Sequence, residues 1–304
     1  MDDFLEEGDS LIQKPIPNRQ AFVTIKKMAD HQGSAEAQYI VGSCFKDGKW
    51  VSKSHKKAFQ YYKLAADQGF SQAQVSLALL YNDGLGVGKD PDQAFRHAKL
   101  AADQGNSSGY VLLGEFYAEG KGVEKSPTES IRYYQLAAEL KNPAAFSYLA
   151  EAYVNGIGVE KSEEKANYYY QRNLECYKEK ADEGDPNSQS TVGWLFENGI
   201  GTEQSIESAI HYYQLAADQN FPTAWFHLAE CYAGGKGVKK DLEKAIHYFK
   251  LAADEGNILA KFSLAHHLLT NKKNADKAVR YFQSIIQTHQ CEPNLKHINV
   301  NQIC

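Results

Sequence analysis

A ten-residue phrase recurs along this chain and constrains its fold more than any other feature. It reads QYYKLAADQG at 60–69, HYYQLAADQN at 211–220 and HYFKLAADEG at 247–256. Self-similarity at a fixed period means that one supersecondary unit is stacked in series. Aligned on a small residue that follows an apolar one, the copies register at Gly42, Ala78, Gly114, Ala150, Gly193, Ala229 and Ala265, with steps of 36, 36, 36, 43, 36 and 36 residues. Seven units follow, at 35–70, 71–106, 107–142, 143–185, 186–221, 222–257 and 258–290. A second series at Ala58, Ala94, Ser130, Ala166, Ala209, Ala245 and Ala278 keeps the spacing except at the 43-residue step and a shortened last loop.

Each unit reads as two helices. In the second copy Ala73, Leu77, Ala78 and Tyr81 share one face of a first helix. Gly84 ends it, because glycine takes the left-handed conformation without a Cβ clash. Asp90 serves as N-cap of a second helix, Pro91 fills its first position and Gln93 closes a capping box. Ala94, Ala98, Leu100, Ala101 and Ala102 make the apolar face, and Gly105 stops the helix. The repeated Ala-Ala pair lets backbones approach, and the aromatic at Tyr62, Tyr134, Tyr170, Tyr213, Phe249 and Phe282 fills the remaining gap. One such unit cannot bury its apolar face alone; a stack buries a continuous core.

Composition narrows the function classes. The 304 residues carry a net charge of −5, which disfavours nucleic acid as a partner. No apolar run approaches the roughly 18 residues of a membrane helix. The start, MDDFLEEGDS, has no apolar core of the kind a secretory signal needs. Five cysteines, at 44, 176, 231, 291 and 304, form no disulfide framework, so a reducing, cytoplasmic compartment is expected. Cys304 stands last and is not placed for prenylation.

The small-residue helix, the G-x-G-V turn, the A-x-x-Y-Y helix and the closing A-A-x-x-G at this period resemble the Sel1-like repeat family, relatives of the tetratricopeptide repeats. The resemblance covers about 35–290 and implies an all-α, right-handed superhelical solenoid of about seven helix-turn-helix repeats of 36 residues. Three departures stand out. Trp50 replaces the second turn glycine in the first copy. The last copy has Asn271-Lys272-Lys273-Asn274 in place of the glycine turn, a capping variant. The fourth copy carries seven extra residues around Arg172 to Lys178, nearly two helical turns, read as a lengthened helix that alters the superhelix locally or projects beyond it. Residues 19–34 read as an N-terminal capping helix, 1–18 as a mobile acidic segment and 291–304 as a C-terminal tail. The cysteine pair that locks each repeat in some bacterial members is missing.

Nucleotide, serine-hydrolase and zinc-protease motifs are missing, and no cofactor or metal is expected. His227, Glu230 and Cys231 lie at i, i+3 and i+4, the sharpest metal candidate, but Cys231 takes the inward position that Cys44 also holds. The Tyr-Tyr pairs suit base stacking, yet one member of each lies at core spacing. Likeness to tetratricopeptide arrays implies that first helices line a concave face. Their fifth positions include Tyr39, Val111, Ser190, Phe226 and Phe262; the ninth include Glu115, Glu151, Trp194, Glu230 and His266; the thirteenth include Asp47, Asp83 and Glu119, with Glu197 beside them. Arg96, Arg132, His211, His247 and Arg280 make a more basic stripe on the second helices.

An acidic face with aromatic anchors suits a basic or amphipathic protein segment. The expected function is a non-enzymatic protein-interaction module, an adaptor or scaffold, monomeric when free and with no membrane span. The expected compartment is the cytoplasm, with a bacterial effector or effector regulator translocated into a host cell as the further expectation. The alternative is a hydrolase or cell-wall-fragment-binding protein of the same class.

Overall fold

Helix stops and starts written into the sequence set the architecture. The protein is described here by a computed structural model covering residues 16, 18–269 and 279–283. The acidic segment before residue 16, Thr270, the Asn271–Asn274 variant, and the tail with Cys291 and Cys304 lie outside these residues. Helix α1 (Arg19–Lys27) runs into a π-helical turn (Met28–Gln32). The first helices of the copies are α2 (Ala35–Asp47), α4 (Ser71–Asp83), α6 (Ser107–Glu119), α8 (Pro143–Asn155), α10 (Pro186–Asn198), α12 (Pro222–Gly234) and α14 (Ile258–Leu269). The second helices are α3 (His55–Asp67), α5 (Pro91–Ala102), α7 (Pro127–Glu139), α9 (Glu163–Asp182), α11 (Ile206–Ala217) and α13 (Leu242–Asp254). Residues 279–283 are also helical, and no strand occurs among the described residues. The helix pairs follow one another as repeats of a solenoid. No described helix is long and apolar enough to cross a membrane.

The caps act as the local chemistry dictates. Gly84 closes α4 with φ 71°, and the Asp90 carboxylate accepts from the Gln93 amide at 3.0 Å. The chain divides into two compact units inside α9, at 1–169 and 170–304. The seven extra residues of the fourth copy are helix, so α9 has 20 residues where the other second helices have 12 or 13. Because seven residues come close to two turns, its buried stripe of Ala166, Asn173, Leu174 and Ala181 stays on one face. Within the first unit the Ser162 amide donates to the Tyr153 carbonyl (3.0 Å), as Ser126 does to Tyr117. Within the second unit, a Cβ on Gly201 would fall 2.4 Å from the Tyr170 carbonyl oxygen. That contact belongs to the first residue of a second helix in other copies, so the second unit counts its register from Tyr170, seven residues after Glu163.

Alanines line the seams: Ala65, Ala101, Ala137, Ala216 and Ala252 are wholly buried. Leu100 corrects the sequence reading, since it is 44% exposed and Leu64 and Leu215 behave alike. One helical residue turns about 100°, so the leucine before the alanine pair is carried off the seam.

Two pairings recur within the copies, the second of them in three copies. The other ring of each aromatic pair stacks sixteen residues back, as Tyr61 on Phe45 (5.7 Å), Tyr133 on Tyr117 (5.5 Å) and Tyr212 on Phe196 (5.8 Å). Lys57, Lys165 and Lys244 cover the rings of Phe45, Tyr153 and Tyr232 at 5.1–5.2 Å, a cation–π contact worth about 0.5–1 kcal/mol where exposed. A buried glutamine also accepts from a second one thirty residues on: Gln38 from Gln68 (2.8 Å), Gln74 from Gln104 (2.7 Å) and Gln189 from Gln219 (2.8 Å). The bond satisfies a polar group that burial would otherwise penalise.

Candidate functional site

The site grows from one packing requirement. Gly114 on α6 leaves room for the ring of Tyr134 on α7; a Cβ there would sit 2.3 Å from it. Tyr134 is buried, and Tyr148, from α8 of the next copy, stacks on its outer side at 4.7 Å and 11°. The Tyr148 hydroxyl donates to Glu115 Oε1 at 2.5 Å. Burial raises the Glu115 carboxyl above its ordinary range despite that bond, and burial raises the Tyr148 phenol as well. Around these groups lies a cavity of about 210 Å³ whose lining includes Glu115, Glu119, Tyr134, Tyr148, Glu151 and Asn155. Glu119 pairs with Lys121 (2.5 Å), and Glu151 is exposed. The arrangement sets three carboxylates and two stacked rings around one cavity.

The second unit repeats the packing with other chemistry. Gly193 on α10 admits Tyr213 of α11, which is fully buried. His227 of α12 stacks on it at 4.6 Å and 4°. The Tyr213 hydroxyl donates to Glu197 Oε2 at 2.7 Å. His227 Nδ1 lies 4.0 Å from the same oxygen, and Lys236 Nζ is 3.6 Å from Oε1. Burial lowers the His227 pKa, with Glu197 opposing it. The Cys231 thiol is pushed up to about 11 by burial, and Cys231 and Cys44 are buried free thiols at the same repeat position. His227, Glu230 and Cys231 do not converge: Glu230 instead accepts from Ser263 at 3.3 Å. Among the described residues no three His, Cys, Asp or Glu side chains are placed to hold a metal ion.

The residues expected to bind a partner divide by depth. Asp47, Asp83, Glu119, Glu151, Trp194, Phe262 and His266 are exposed, with Trp194 at 43%. Tyr39, Glu115, Glu197, Phe226 and Glu230 are half-buried; Tyr39 packs against Tyr62 and Phe70, and Phe226 against Phe249. The fifth position is not outward throughout, because Val111 and Ser190 are buried. Val111 joins Ile131, Tyr134 and Leu149 in a core cluster, which places that position on the seam between copies. Arg96, Arg132, His211, His247 and Arg280 are all exposed. Of the Tyr168-Tyr169-Tyr170 run, only Tyr168 is exposed, since Tyr169 stacks on Tyr153. Sequence reasoning missed Tyr148 and gave Tyr134 and Tyr213 only a filling role. A signal was present: each registration glycine, Gly42, Gly114 and Gly193, has a tyrosine twenty residues on.

Comparison with known proteins agrees with this geometry. The family model for the Sel1 repeat matches residues 35–70, 71–106, 107–142, 144–172, 186–221, 223–257 and 264–286. A Sel1 repeat protein from Oxalobacter formigenes is similar at 27% identity over 82% of this chain and 96% of that one, with a TM-score of 0.55. A protective antigen of uropathogenic Escherichia coli strains displaying an SLR fold shares 27% identity over 89% of this chain, with a TM-score of 0.47. This chain spans 57% of that antigen's length. An immunity protein from Pseudomonas aeruginosa, 21% identical over 74% of this chain and 82% of that one, has a TM-score of 0.53 and shares the fold. No curated protein matches the chain.

Proposed function

The chain belongs to the Sel1 repeat family, and on that footing we propose that it is a non-enzymatic adaptor that captures a partner protein through the first-helix face of its first unit. Sel1 repeat proteins are generally protein-interaction modules on a non-catalytic scaffold. The observation that carries the reading is the cavity between Glu115, Glu119, Glu151 and the Tyr134–Tyr148 stack. An arginine or lysine of a basic or amphipathic segment fits it. Charge-assisted hydrogen bonds to carboxylates are the strong kind, and an aromatic face adds cation–π attraction. A guest cation also favours the ionised form of Glu115, against the burial that raises its pKa. Binding therefore releases protons and weakens as pH falls through that raised value.

Anisotropy with fluorescein-labelled, arginine-containing amphipathic peptides tests the site on the full chain. Glu119→Lys with Glu151→Lys should weaken bound peptides by about tenfold or more, while circular dichroism stays helical. Unchanged affinity would remove the cavity as the contact. Trp194→Ala with Glu230→Lys puts the same question to the second unit, and a loss confined to that pair would move the site there.

A further inference from the structure

The first copy breaks a rule that the second to sixth copies obey. In the second and third copies the second turn glycine lies on the backbone where the preceding second helix begins: a Cβ on Gly86 would fall 2.3 Å from the His55 carbonyl oxygen, and one on Gly122 2.2 Å from that of Pro91. The first copy reads Gly48-Lys49-Trp50-Val51, and Trp50 keeps the left-handed backbone of the glycine it replaces, with φ 65°. A bulky residue there is strained, and such outliers persist where the surroundings over-determine them, often at ligand clamps. The helix start facing this turn is Arg19, thirty-six residues before His55. An indole cannot occupy the space left by a hydrogen, so the close contact is lost. A broad, solvent-open depression of about 760 Å³ lies in its place, with Arg19, Lys26, Phe45, Trp50, Val51 and Lys57 in its lining.

Its charge is opposite to that of the chain as a whole. Among the described residues the lining holds three cations and no carboxylate. Lys26 is paired with Asp30, which also accepts from the Tyr61 hydroxyl at 2.7 Å. Among the described residues neither Arg19 nor Lys57 has a carboxylate within ion-pair distance. Lys57 lies over Phe45 (5.1 Å), and Lys49 over Trp50 (6.0 Å), whose indole is 37% exposed. Cations flank an aromatic floor, the complement of an apolar side chain between carboxylates.

We propose that this depression docks an acidic segment of a partner protein, with an aromatic or aliphatic side chain on Trp50 and its carboxylates on Arg19 and Lys57. The site is separate from the acidic cavity at Glu115 and takes the opposite charge. The probe is a fluorescein-labelled peptide, Glu-Asp-Phe-Leu-Glu-Glu, titrated into the full chain at low and high salt, beside a lysine-substituted control and a single-stranded oligonucleotide. The acidic peptide should bind, weaken with salt and outcompete both controls. Arg19→Glu with Lys57→Glu should weaken it about tenfold or more, whereas Arg96→Glu with Lys99→Glu on α5 should leave it unchanged. Trp50→Gly restores the turn glycine and should abolish binding with an unchanged or higher Tm. Equal affinity in the Arg19/Lys57 variant overturns the proposal, and so does tighter binding of the oligonucleotide. A tenfold gain on neutralising Asp2, Asp3, Glu6 and Glu7 to their amides also overturns it, by making the chain's own acidic start the occupant.

Discussion

Tyr134 in the first unit and Tyr213 in the second occupy the same step of the repeat, yet the rings stacked on them differ. Tyr148 covers one and His227 the other. Behind both lies the same glycine, so the packing is set by the period and the chemistry by the sixth position of the following copy. Glu197 is closed in by the Tyr213 hydroxyl, His227 and Lys236. Glu115 meets one hydroxyl and borders open space. A satisfied polar network rigidifies a seam, whereas a partly engaged carboxylate beside a cavity still has acceptor capacity for a guest. Two units with one fold therefore hold a closed joint in one and a carboxylate beside a cavity in the other.

The largest effects test the shared part. Tyr134→Ala and Tyr213→Ala each empty a buried ring's volume and should cost about 3–5 kcal/mol in denaturant unfolding; a large inequality between them would show that the seams are not equivalent. The next effects separate the two. Glu197→Ala leaves the fully buried Tyr213 hydroxyl without its carboxylate acceptor and should cost about 1–3 kcal/mol. Glu115→Gln keeps an acceptor for the half-buried Tyr148 hydroxyl and should fall within about 0.5 kcal/mol.

Acid should then act on the two sites with opposite signs. His227 has a folded pKa below its ordinary 6.5 because burial disfavours the cation. Its stabilising contribution is present above 6.5 and lost as pH falls through the lowered folded value. Glu115 has a folded pKa above its ordinary 4.5, again through burial. Its contribution is present below 4.5 and lost as pH rises through the raised value. Between wild type and His227→Asn, the difference in Tm should shrink on acidification, and between wild type and Glu115→Gln it should grow. Smallest of all, Lys165→Ala removes one ring-capping cation and should cost about 0.5–1 kcal/mol.

Much of the fold could be read from residues a few positions apart. The first helices begin at Ala35, Ser71, Ser107, Pro143, Pro186, Pro222 and Ile258, from which the repeat was counted. Gly84 ends a helix through its left-handed backbone and Asp90 starts one through its carboxylate cap, and the added heptad at Arg172–Lys178 stays helical. Leu100 was misplaced because residue type alone assigned it to the apolar face. The candidate site was legible in half: Glu115, Glu119 and Glu151 stood out as outward acids, but the tyrosines that turn them into a cavity did not. Tyr148 reaches Glu115 across thirty-three residues, and Tyr61 finds Phe45 across sixteen. Helical periodicity reports which side chains share a face, not which residue of a neighbouring helix lies opposite. The glutamine pairs carry the same lesson, for Leu140 and Glu255 stand in the second position where Tyr110 and Trp225 replace the first glutamine.

The sequence by itself determined the period, the helix ends and the alanine seams, since caps, propensity and amphipathic spacing act within a turn or two of chain. Tertiary structure alone decided that one glycine-backed tyrosine borders a cavity while its counterpart is locked to a carboxylate, and that Trp50 borders a depression lined by Arg19, Lys26 and Lys57. Those outcomes depend on the volume and charge that adjacent copies bring to a shared seam, a quantity no single stretch of sequence contains.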